Sequence, residues 1–132
     1  SATLDGDVGH IIRHYLTDPT TVAIDDATDT VGTMHHLFLA VHHMDKDRVI
    51  GSMSKGIPKI VVFCQTKRSC DRVARNLKEL GVDASALHGD MQQAAREHAM
   101  RNFAEGKLAV LVATDVAARG IDIDDIGAVV HY

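Results

Sequence analysis

Aromatic residues are scarce: two Tyr, three Phe and no Trp make up 4% of the 132 residues. A core must therefore be assembled from Val, Ile, Leu, Ala and Met. Few rings are left over as stacking platforms for the bases of a single strand. Cysteine is rare as well. Cys64 and Cys70 stand alone, which excludes a disulfide framework and a four-cysteine zinc knuckle and makes a reducing cytoplasm the natural setting. There is no basic surplus. The formal net charge is −4, so any nucleic-acid binding has to come from a local site and not from a general positive field. No apolar run reaches the roughly 20 residues of a membrane span, and no charged-then-apolar leader opens the chain. The first residue is Ser1 and not Met, so the chain reads as a piece of a longer protein. A G-x-x-x-x-G-K-[ST] phosphate loop is also missing. Gly51 and Gly56 have the right spacing, but Ile57 and Pro58 follow where Lys and Ser or Thr are required.

What is present is the composition of a folded domain, with 45% hydrophobic and 24% charged residues. Residues 7–16 carry Val8, Ile11, Ile12 and Tyr15 at helical spacing. Residues 18–33, rich in Asp, Thr and Gly, read as an irregular connector with one short strand over 21–24, and a domain boundary is expected there. Beyond it, strands and helices alternate. The apolar run 37–41 comes first, then a helix over 46–53. A run over 59–63 has the continuous apolar character of a strand buried on both faces. A helix over 67–80 follows, with Thr66 placed to cap its start and Gly81 to end it. Next come an apolar piece at 84–87, a helix over 92–104, a strand over 108–113 and another over 128–131. Such alternation indicates an α/β fold, a parallel sheet covered by helices on both faces. Ligands of such sheets sit at the carboxyl ends of the strands.

Three loops fall at those ends. They are Cys64-Gln-Thr-Lys-Arg68, His88-Gly-Asp90 and Thr114-Asp-Val-Ala-Ala-Arg-Gly-Ile-Asp122. Between them they supply small hydroxyls, cations, and backbone amides near a glycine or a helix start. Those groups hold phosphates, and three such loops at one edge suggest a surface for a phosphodiester backbone. Each residue taken singly has a plainer role open to it. Thr66 and Thr114 can simply cap helices, Gly89 can serve a turn, and Lys67 and Arg68 can form a solvated helix start. Arg96 shares a helical face with Ala99, Met100 and Phe103, so it is either paired or functional, or it packs its stem and sends its head to water.

The same residues resemble the motifs of DEAD-box ATP-dependent RNA helicases. Thr114 to Asp122 is similar to motif V residue for residue. Val61-Val-Phe-Cys-Gln-Thr66 resembles motif IV, and His88-Gly-Asp90 with Gln93 and Arg96 resembles the HGD and QxxR elements. Ser1-Ala2-Thr3 matches the SAT triplet of motif III. The order and spacing are those of the family, over the whole chain. The resemblance implies a RecA-like fold. Residues 1–30 would be the tail of a first, ATP-binding domain with its linker. Residues 31–132 would be the second domain, stopping before the arginine-rich motif VI. It further implies that Ser1 and Thr3 couple nucleotide state to unwinding. Thr66, Arg68, Gly89 and Thr114 would lie along the RNA backbone, and Gly120 and Asp122 would approach ATP across the cleft. Gln93, Arg96 and Arg119 would organise the domain face. ATP and Mg would be held mainly by the first domain, whose phosphate loop and Asp-Glu-Ala-Asp box this chain lacks, and the chain alone is expected to hydrolyse nothing.

Backbone contacts imply RNA binding largely independent of base sequence. Readings of other classes are a non-catalytic RNA- or protein-binding module of the same shape, and a superfamily 2 DNA helicase. No metal site is expected. The pairs His35-His36 and His42-His43 would point their side chains to opposite faces of a strand.

Overall fold

The computed structural model describes residues 13–15, 17, 34–119 and 123–132. Contacts divide the chain into two units, residues 1–38 and 39–132. In the first, residues 13–15 are helical, where the helix over 7–16 is expected; the rest of that helix lies outside the described residues, as does the strand over 21–24. The apolar run 37–41 forms no strand. It is irregular, with Leu37, Phe38 and Leu39 exposed.

Among the described residues, the second unit holds all the strands and the remaining helices. Helix α1 (Lys46–Met53) precedes strand β1 (Ile60–Cys64), helix α2 (Lys67–Glu79), strand β2 (Ala84–Leu87) and helix α3 (Gln93–Ala104). Strand β3 (Val110–Thr114), the short helix α4 (Asp115–Ala118) and strand β4 (Ala128–His131) complete it. The four strands form one parallel sheet in the order β2-β3-β1-β4. This is the α/β architecture expected from the alternation. β1 starts one residue later than the apolar run suggests because Lys59 has φ 51°, a left-handed conformation no strand residue adopts. Gln92 lies outside α3 because it is extended and serves as the N-cap. Gly81, at φ 79°, turns the chain out of α2 where a side chain would be strained.

Alternation along the central strands splits the core in two. Ile60, Val62, Cys64, Val110 and Val112 face one side, where α2 lays down Cys70, Val73, Ala74 and Leu77 and α1 adds Ile50. Val61, Leu111 and Ala113 face the other, against Ala99 and Phe103 of α3 and Ala117 of α4. Two covered faces explain why β1 and β3 read as unbroken apolar runs and not as alternating ones.

Candidate nucleic-acid interface

Strand register brings the three loops together. Leu87, Ala113, Phe63 and His131 stand opposite one another across all four strands. The chain therefore leaves β2, β3 and β1 from one row. Neighbouring strands lie about 4.8 Å apart, so the outer two of these loops start roughly 10 Å from each other, with the third between them.

The loop after β1 enters α2 through Thr66. Its backbone is extended (φ −128°, ψ 152°), and its Oγ1 accepts from the Ser69 amide at 3.1 Å. The Thr66 hydroxyl also donates to Ser69 Oγ at 2.8 Å. The capping role is thus real, and it leaves one lone pair of the oxygen for a further donor. Arg68 is exposed on the first turn. Thr114 does for α4 what Thr66 does for α2, accepting from the Ala117 amide at 3.4 Å. Arg119 ends α4, exposed. Neither Arg68 nor Arg119 forms an ion pair among the described residues, so both cations are available to an anion. Gly120 and Asp122 lie outside the described residues, as do Ser1 and Thr3.

On α3, Gln93 donates to Glu97 Oε1 of its own helix at 2.8 Å. Arg96 is half-buried on the stripe of Ala99, Met100 and Phe103, as the spacing implies, and has no ion-pair partner among the described residues. The structure therefore does not tie these two side chains to the three loops.

What sequence reasoning missed is how the loop after β2 is held. His88 is the one buried polar side chain among the described residues. Its Nε2 lies 2.9 Å from Asp71 Oδ1 on α2. Two residues on, Asp90 accepts from Lys67 Nζ at 2.5 Å. That hydrogen bond, the largest influence, holds the Asp90 carboxyl below its ordinary pKa. The signal was present as a pairing of patterns. Lys67 and Asp71 are four apart on one helical face, facing His88 and Asp90 two apart on a loop.

No three His, Cys, Asp or Glu side chains converge as cation ligands among the described residues. The His42 and His43 rings lie 4.4 Å apart instead of facing opposite ways, because residues 42–43 are not on a strand.

A parallel α/β domain with hydroxyls, cations and a glycine loop gathered at the strand ends is the class that fold and site define. The helicase conserved C-terminal domain family matches residues 43–132, and the chain belongs to that family. It is 39% identical over its whole length to DEAD-box ATP-dependent RNA helicase 46 of Arabidopsis thaliana. It is 38% identical to the pre-mRNA-splicing ATP-dependent RNA helicase prp28 of Neosartorya fischeri. It spans only 21% and 17% of those two proteins. Among solved structures, the C-terminal domain of the DEAD-box protein Dbp5 superimposes with a TM-score of 0.58 at 36% identity, covering 67% of this chain and 51% of that one. S. cerevisiae Dbp5 bound to RNA and ADP-BeF3 gives a TM-score of 0.60 at 36% identity, over 67% of this chain and 23% of that one.

Proposed function

We propose that this chain is the greater part of the second motor domain of an ATP-dependent RNA helicase, which remodels RNA using ATP hydrolysis. The observation that carries the reading is the common row from which the three loops leave. It sets Thr66, Arg68, Gly89 and Thr114 along one edge, as a sugar-phosphate backbone requires. The whole-length similarity to named RNA helicases, and the RNA and ADP-BeF3 held by Dbp5, support the same reading. RNA is then gripped through its backbone, independently of sequence.

The remaining assignments follow from it. Residues 1–30 belong to the first domain and 31–132 to the second. The family match from residue 43 and the division of contacts after residue 38 support a boundary in this part of the chain. Ser1 and Thr3 couple the domains, Gly120 and Asp122 meet ATP across the cleft, and Gln93, Arg96 and Arg119 organise the facing surface. The first domain holds Mg. Two buried, unbridged cysteines suit a reducing cytoplasm, and no helix among the described residues is long and apolar enough to cross a membrane.

The test is ATP hydrolysis by the full-length parent protein without nucleic acid, with single-stranded RNA, and with DNA of the same sequence. Stimulation by RNA alone, lost in Arg119→Ala, is the expected result. Equal stimulation by DNA would place the protein in the DNA-helicase branch. The absence of hydrolysis would leave a phosphate-holding module without a motor.

A further inference from the structure

None of the family motifs uses Asp71, yet its carboxylate holds the one buried polar side chain among the described residues, at the edge where the loops meet. A carboxylate only accepts, so the hydrogen sits on His88 Nε2 and is donated to Asp71. The other ring nitrogen, Nδ1, is sealed from solvent with no partner among the described residues. The bond to Asp71 therefore keeps a hydrogen on Nε2 and with it sets the ring's orientation.

The second link, Lys67 to Asp90, runs beside the first. Both start on the first turns of α2 and end on either side of Gly89. The Gly89 backbone is not left-handed, and a Cβ there would meet only the end of the Lys67 side chain, Cε at 3.8 Å and Nζ at 3.9 Å. Neither turn geometry nor packing demands glycine at this position. What the missing side chain gives is open backbone.

We infer that Asp71 is a positioning residue: through His88 it fixes how far the Gly89 loop stands from the turn at residues 66–68, and so sets the fit of a phosphodiester backbone across the three loops. The inference rests on the RNA reading above. Asp71 is itself exposed on its outer side and touches no reacting group.

The full-length protein is assayed for ATP hydrolysis against RNA concentration. Asp71→Ala raises the RNA concentration for half-maximal stimulation roughly 3- to 10-fold, the range of one ordinary hydrogen bond lost. Turnover at saturating RNA and the KM for ATP stay within about twofold of wild type, since only binding is disturbed. Asp71→Asn keeps an acceptor and recovers most of the loss. An unmoved RNA response in Asp71→Ala, or an Asn variant no better than Ala, overturns the inference. If Asp71→Ala does not fold, the exposed link carries the test: Lys67→Asp weakens RNA binding and the exchanged pair Lys67→Asp/Asp90→Lys restores it. Failure to restore is equally fatal. A wild-type protein that RNA does not stimulate overturns the helicase reading itself; normal stimulation with an indifferent Asp71 removes only the positioning role.

Discussion

Replacing Gly127 by alanine measures how closely the start of β4 is pressed onto the chain ahead of β1. A Cβ at residue 127 would lie 2.4 Å from the Pro58 carbonyl oxygen and 2.8 Å from Ile57 Cγ2. Real Cβ contacts begin near 3.0 Å, so one of the two segments must retreat by more than half an ångström. That retreat pulls on the Gly127 amide, which donates to the Lys59 carbonyl at 3.1 Å, and on the first ladder pair, Ile60 with Ala128. Overpacking costs about 1–3 kcal/mol and a weakened hydrogen bond about 1 kcal/mol. The residue is not left-handed, so the unfolded chain returns about 0.4–1 kcal/mol in alanine's favour. The net expectation is a loss of roughly 1.5–3 kcal/mol, read from the urea midpoint by circular dichroism. Gly51, inside α1, supplies the opposite sign. Its Cβ would meet Val82 and Leu80 side chains at 3.6 and 3.7 Å, ordinary contacts, so Gly51→Ala stabilises by about 0.5–1 kcal/mol. A Gly127→Ala protein as stable as wild type would show that β4 is not pinned at this point.

Thr66→Ala removes the cap of α2 and lowers stability by about 1 kcal/mol, whereas Thr66→Ser keeps the acceptor and stays within a few tenths. Equal loss in both, measured by urea unfolding, would contradict the capping geometry. Stability also declines in alkali. Burial, followed by the influence of Cys64, pushes the Cys70 thiol up to about 12, and burial, with the neighbouring Asp47 carboxylate next, raises the Tyr132 hydroxyl to about 12. Both groups hold their protons longer folded than unfolded. The stability they contribute is complete below pH 9 and is lost as pH rises from about 9 towards 12. A urea midpoint that is flat from pH 8 to 11 would refute this.

Where the sequence pattern spoke through packing, it was legible. The bounds of α1, β2 and β4 match their apolar runs, and β1, α2, α3 and β3 shift by one or two residues at their ends. The shifts have local causes, such as the positive φ of Lys59. The loops at the strand ends followed from the fold class alone, and Thr66 and Thr114 proved to be caps as well as candidate contacts. The apolar run at 37–41 has no regular structure and stays largely exposed. The brace from α2 to the loop after β2 was invisible to motif reasoning. It depends on which face of α2 looks at His88 and Asp90, and that is settled only when α2 packs on the sheet.

The order of strands across the sheet also bears on how the chain assembles. Among the described strands, β2 and β3 alone are both consecutive and hydrogen-bonded neighbours, paired through Ala84 and Val110. β1, made before either, waits for Val110 to partner Ile60, and Ala128 of β4 comes later still. Loop closure is less costly for short separations, so the β2–α3–β3 segment is the natural nucleus. By the same cost, β1 is expected to join β3 next and β4 to join β1 last. On that order, the loop after β1 takes its final place only once the middle of the chain has folded. Long-range parallel pairing of this kind folds slowly, and until it is complete the apolar β1 run depends on its surroundings to keep it from other chains.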